Sequence, residues 1–283
     1  MIRLLAIDMD GTCLNGRSRI SPRTMAALEA AHNAGILIVP TTGRTLTCLP
    51  HQLAARRDLY RYVITSNGAR VTDLQTSQTL FQAEIPKDTA LSLLKDLRSL
   101  HMGRTAHVNH DYLVQGQILH AMGRIIYGKD AKESPCVSDL TDVISRGACN
   151  VEELQFFFFR KDSANAVRQV LAPYPTLLSA YTGLYVEIYH RNASKGAALS
   201  ALCQKLGIPK EQVACMGDGE NDCSRPASSH GKQRPVSSGH GQSRFAGQPS
   251  RWCRRRNFSL CAGTGTGSQP LRFIFLFPPA MVS

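Results

Sequence analysis

The sequence predicts an α/β protein, a parallel-sheet core into which an α+β module is inserted. Three observations carry this. Short apolar runs at 4–7, 36–39, 62–65 and 212–216 each end in a polar or glycine-bearing turn, as buried parallel strands do. The first two enclose a helical pattern, so strand, helix and strand make a right-handed βαβ unit of about 35 residues. Between 84 and 189 the order becomes α-β-β-α-β-α-β-β, which calls for an antiparallel sheet of its own.

The first strand, Leu4-Leu5-Ala6-Ile7, runs into Asp8-Met9-Asp10-Gly11-Thr12. In open α/β sheets the carboxyl ends of the strands face the ligand crevice. Asp8 and Asp10 lie one pleat apart on the same side of an extended backbone. Two such carboxylates repel each other unless a cation lies between them, and a hard divalent ion such as Mg2+ suits them. One can then act as nucleophile and the other as general acid or base. Taken alone, the string also suits a strand that ends in a solvated turn.

Ser21 as N-cap and Pro22 at the first helical position open a helix that Gly35 stops. The second strand ends in Pro40-Thr41-Thr42-Gly43-Arg44, which places the Thr42 hydroxyl beside Asp8, able to donate to a phosphate oxygen or merely to shape a turn. The pattern predicts a helix over 45–57. The third strand ends in Ser66-Asn67-Gly68-Ala69, where Asn67 suits either a binding site or a left-handed turn. A hairpin follows over 70–72 and 79–82.

In the module, Leu91, Leu93, Leu94, Leu97 and Leu100 predict an amphipathic helix over 87–101. Two short strands are expected over 104–115, a polar loop over 129–150, a strand over 154–159, a helix over 163–172 and a hairpin around Thr182-Gly183. His107, His110 and His120 lack metal-ligand spacing, and the run 156–159 of four Phe reads as core. Back in the core, Ser194-Lys195-Gly196 opens a helix through Leu199, Leu202 and Leu206. A lysine at a helix N-terminus is poorly placed for the dipole, yet well placed beside an anion held by backbone N–H groups. The fourth strand ends in Gly217-Asp218-Gly219-Glu220-Asn221-Asp222, an acidic tip that needs a cation or strong donors.

The chain has 283 residues, 43% of them hydrophobic, enough for two compact cores. No apolar run reaches the ~18 residues of a membrane span, and the apolar run before Asp8 is only four residues long, too short for a signal peptide. Nine scattered cysteines without a C-x-x-C pair fit a reducing cytoplasm. The net charge of +12 sits mostly at the end: residues 223–283 hold eight Arg, one Lys and no acidic residue, leaving +3 for the first 222. Nucleic acid is therefore not the expected partner of the folded part.

The four strand-end strings, in this order, resemble the four motifs of the haloacid dehalogenase (HAD) phosphohydrolase superfamily, and the chain is similar to its Cof-type (subfamily IIB) sugar phosphatases over residues 1–222. The resemblance implies a Rossmann-like core in two parts, 1–83 and 190–222, and a cap at 84–189 that covers the active site, selects the substrate and moves as a lid. It implies Asp8 as nucleophile, Asp10 as proton carrier and Lys195 as their partner. Thr42, Gly43, Arg44, Asn67 and Asn221 would bind phosphate or substrate. Asp8, the Asp10 backbone carbonyl, Asp218 and Asp222 would serve a Mg2+ ion and its water. The expected reaction is hydrolysis of a small phosphate monoester, a sugar phosphate, in the cytoplasm through an aspartyl phosphate. A phosphomutase with the same nucleophile is the enzyme alternative.

The resemblance stops at Asp222. The family continues with a helix, a fifth strand and further helix; residues 223–283 are instead rich in Ser, Gly, Pro and Arg, without periodicity. A shifted reading frame near Cys223, a basic tail that binds nucleic acid through 225–256, and a chimera all produce such a text. Missing its last core strand and helices, the chain is expected to have impaired activity, and 223–283 to be a disordered tail.

Overall fold

The computed structural model describes residues 1–217 except Arg17, Lys132 and Lys161, and for Tyr127 the backbone only. The first strand, β1 (Leu4–Asp8), leads through a tight turn at Met9–Cys13, where Gly11 takes φ 86°, to α1 (Pro22–Asn33). The Ser21 hydroxyl accepts from the Thr24 N–H, the N-cap the sequence calls for. β2 (Leu37–Thr41) pairs parallel to β1 with Asp8 opposite Thr41. Pro40 lies within β2 and has no N–H to give; the β2–β3 ladder is reduced to the single pair Thr41–Ile64.

The helix expected over 45–57 is only α2 (His51–Ala54). Pro50 disfavours helical backbone just before it, and the residues ahead of it are drawn into loops at the strand tips. After β3 (Tyr62–Thr65), β4 (Arg70–Asp73) and β5 (Gln78–Gln82) extend the sheet as an antiparallel hairpin.

The second sheet begins after α3 (Lys87–Asp96), which stops short of the expected 101. Its strands are β6 (Met102–Val108) and β7 (Asp111–Gln115); then, after α4 (Gln117–Tyr127), β8 (Cys136–Val137). α5 (Leu140–Arg146) precedes β9 (Glu153–Phe158), and α6 (Ser163–Leu171) precedes β10 (Leu177–Tyr181) and β11 (Tyr185–His190). The polar stretch 129–150 thus holds a short strand and a helix instead of a loop. Asp139 caps α5 through the Thr141 N–H, and buried Leu140 and Ile144 anchor it. Two apolar anchors in seven residues are too faint a period to read from sequence. The Phe run is core only in part, because strand alternation turns Phe156 inward and leaves Phe159 two-thirds exposed.

The chain returns through α7 (Lys195–Leu206), capped by the Ser194 hydroxyl and ended by Gly207 in the left-handed region, to β12 (Val213–Met216). The core sheet runs β12-β1-β2-β3-β4-β5, parallel across its first four strands, and the second runs β10-β11-β9-β6-β7-β8, antiparallel except for β7–β8. One face of the core sheet packs Leu4, Val39 and Ile64 on Leu199 and Leu202 of α7; the other packs Ile7, Ile38 and Val63 on Leu28 of α1 and Leu53 of α2. The second sheet has its own core around Leu93, Leu97, Ile144, Leu154 and Phe156. Among the described residues β12 ends the core sheet. The positions expected to supply a further strand, like the tail at 223–283, lie outside them.

Candidate active site

The parallel strands deliver their carboxyl ends to one edge, and a cleft of about 710 Å3 opens there against the second sheet. Asp8, at the last position of β1, is buried, and its Oδ1 accepts from Lys195 Nζ at 2.7 Å. Lys195 is the first residue of α7, so the positive end of that helix lies at the same edge as its side chain.

Two glycines set these approaches. At Gly68 (φ 90°) a Cβ would run into the Ser194 carbonyl and the Lys195 nitrogen, so the turn after β3 can lie against the start of α7 only without a side chain. At Gly43 a Cβ would stand 2.9 Å from Asn67 Oδ1.

Asp10 lies just past Asp8 with its side chain 56% exposed. Arg44 grips it with a fork: Nε donates to Oδ2 at 3.0 Å and Nη2 to Oδ1 at 2.8 Å. Burial works against the Arg44 charge, but its hydrogen bonds to Asp10 and Asp130 outweigh that and hold its pKa above the ordinary value. The Thr42 side chain is fully buried behind the cleft wall, its Oγ1 accepting from the Arg44 N–H at 3.1 Å. Of the residues singled out in the sequence, Asp8, Asp10, Gly43, Arg44, Asn67 and Lys195 line the cleft. Asp218, Asn221 and Asp222 lie outside the described residues.

The second sheet contributes carboxylates that no sequence pattern singles out. Asn67, in the left-handed region at φ 55°, donates from Nδ2 to Glu153 at 2.8 Å and Glu187 at 3.3 Å. Burial, then the Glu187 charge, pushes Glu153 well above the usual carboxylate range. Glu187 is also raised by burial, against hydrogen bonds from Tyr185 and Asn67 and the Lys195 charge. Beside them, Ser66 Oγ donates to Glu152 Oε2 at 2.5 Å and lies 3.1 Å from His107 Nδ1. Burial lowers His107 to about 4, keeping it neutral; it is a packed structural histidine whose ring edge meets Tyr112. Nothing in the spacing of these residues marks them in the sequence.

Among the described residues, no group of three His, Cys, Asp or Glu side chains is arranged to hold a metal ion, and no helix is long and apolar enough to cross a membrane. The six described cysteines are all free thiols.

Comparison with known proteins agrees with this geometry. The family profile of haloacid dehalogenase-like hydrolases matches residues 5–224. The chain is 30% identical over 225 residues to the 5-amino-6-(5-phospho-D-ribitylamino)uracil phosphatase YcsE of Bacillus subtilis, covering 78% of each chain. It is 30% identical to the HMP-PP phosphatase of Serratia proteamaculans, covering 78% of this chain and 79% of the relative. In structure it is similar to a haloacid dehalogenase-like hydrolase from Bacteroides thetaiotaomicron, with TM-score 0.69 at 17% identity over 79% of this chain and 84% of that one. With the profile spanning more than half its length and phosphatases among its relatives, the chain belongs to the haloacid dehalogenase-like hydrolases, as one of their phosphoric monoester hydrolases.

Proposed function

We propose that the chain hydrolyses small phosphate monoesters, sugar phosphates foremost, with Mg2+ and through an aspartyl phosphate on Asp8, as a Cof-type enzyme of the cytoplasm. The observation that carries the reading is the buried Asp8 carboxylate at a strand tip, 2.7 Å from a lysine at a helix N-terminus, facing the cleft.

Asp8 attacks phosphorus in line, and the P–O bond to the leaving group breaks as the Asp8–P bond forms. Asp10 gives that leaving oxygen a proton, then takes one from the water that hydrolyses the acyl phosphate. Lys195 and the N–H groups opening α7 hold the phosphoryl oxygens where charge develops. The donors available for a cation among the described residues, the Asp8 carboxylate and the Asp10 carbonyl, are hard oxygens that fit Mg2+; Asp218 and Asp222 would complete the set. When bound, the ion offsets charge between carboxylate and phosphate. The second sheet acts as the cap. Tyr112, Gln155, Phe157 and Tyr185 give its wall of the cleft both hydrogen-bonding and aromatic surface for the organic part of the ester.

The test is phosphate release from p-nitrophenyl phosphate and a panel of sugar phosphates, with and without Mg2+. Metal-dependent release that Asp8→Asn removes is expected; release unaffected by chelation or by that substitution overturns the reading.

A further inference from the structure

We propose that Asp130 is a positioning residue: it links seating of the second sheet on the core to the orientation of Asp10, acting through Arg44. This rests on the role given to Asp10 in the proposed function.

Asp130 lies in the turn Gly128–Ala131 that follows α4, so the second sheet carries it. Its side chain is only 5% exposed, and both its oxygens are met from the core. Oδ2 accepts from Arg44 Nη1 at 2.8 Å. Oδ1 accepts from the His51 N–H at 3.1 Å and lies 2.9 Å from the His51 ring Nδ1. A buried carboxylate needs such partners, so these contacts exist only while the second sheet is seated on the core.

Arg44 is the middle member. Its Nε and Nη2 fork fixes the plane of the Asp10 carboxylate, and Asp130 fixes the third corner of the same guanidinium. Take Asp130 away and that corner loses its short charge-assisted bond, the contact with the Cys48 carbonyl being longer at 3.4 Å. The fork can then swing, and the largely exposed Asp10 swings with it. Arg44 takes two of the roughly four acceptor directions of Asp10 and leaves the rest for a proton in transit. Proton transfer to a leaving oxygen is steep in distance: a shift of about 1 Å can cost roughly a hundredfold.

The experiment separates proton delivery from everything else by choice of leaving group. In p-nitrophenyl phosphate the phenolate leaves without a proton, whereas glycerol phosphate must receive one. kcat/KM on both is measured for the parent chain, Asp130→Asn, Arg44→Gln and the double variant. Asp130→Asn is expected to lower the glycerol-to-nitrophenyl ratio by roughly tenfold or more, and to add nothing once Arg44 is replaced. An unchanged ratio, or losses that multiply in the double variant, overturns the proposal. Should Asp130→Asn not fold, His51→Ala loosens Asp130 from its other side, and the same selective loss, smaller in size, is expected; an unchanged ratio there overturns it equally. If the parent chain releases phosphate from neither ester, the functional reading fails and the link is decided by thermal unfolding. Non-additive Tm shifts for Asp130→Asn and Arg44→Gln support it, and additive shifts overturn it.

Discussion

The two walls of the cleft handle their carboxylates in different ways. On the core wall each acid is paired with a cation: buried Asp8 meets Lys195 at 2.7 Å, and half-exposed Asp10 meets the Arg44 fork. On the facing wall Glu153 and Glu187 share the uncharged amide of Asn67, and burial raises both pKa values, the Lys195 charge opposing it at Glu187 alone. A carboxyl whose pKa is raised presents less charge to a site that takes in a phosphate ester. The walls thus differ in how they compensate charge, by ion pairs on one side and by a neutral donor on the other.

The largest effect expected on the charged wall comes from Asp8→Asn. The fold is to persist by circular dichroism while kcat falls by at least ~10³, because the proposed nucleophile is gone. Turnover of p-nitrophenyl phosphate near the parent rate would dissolve the division between the walls.

Lys195→Met strips the same wall of its cation. A fall in kcat/KM of roughly a hundredfold or more is expected, measured on the same ester. A change within about threefold would mean that the helix N-terminus alone suffices.

Gly68→Ala tests how the charged wall is held together. The left-handed backbone at φ 90° and the collision with the start of α7 should cost roughly 2 kcal/mol in urea unfolding. Activity should fall as well, since the displaced segment carries Lys195. An unchanged midpoint would show that the close approach is dispensable.

The smallest effect belongs to the neutral wall. A carboxyl whose folded pKa is raised contributes stability that is full below its unfolded pKa of about 4.3 and is lost as pH rises through the folded value. His107, lowered to about 4, works the other way, its contribution being lost as pH falls from about 6.5 toward that value. Between about pH 4.3 and 6.5 the carboxyl pair and His107 therefore pull stability in opposite directions as pH rises. Glu153→Gln removes one of the opposing groups, so Tm should rise more steeply with pH over that window than in the parent chain. An unchanged pH dependence would show that Glu153 is not the source.

What the sequence settled is local or carried along the backbone. Leu4–Asp8 is apolar until its last residue, so strand and site are marked by one string. The Ser21 cap and the glycine stop at Gly35 are likewise legible, because capping acts over a few bonds. The motif order, with alternating strands and helices, brought Asp8, Thr42 and Lys195 to one sheet edge before any coordinate was known, because parallel strands share a direction. Tertiary structure decided the rest. Pro50 and the demands of the strand-tip loops cut the helix expected at 45–57 to four residues. Packing of Leu140 and Ile144 made a helix where the text read as loop. Glu153, Glu187 and Asp130 have ordinary neighbours in the chain. Their partners lie 86 positions away for Glu153, 120 for Glu187, and 86 and 79 for Asp130, because burial and charge compensation depend on what the folded chain places opposite a group.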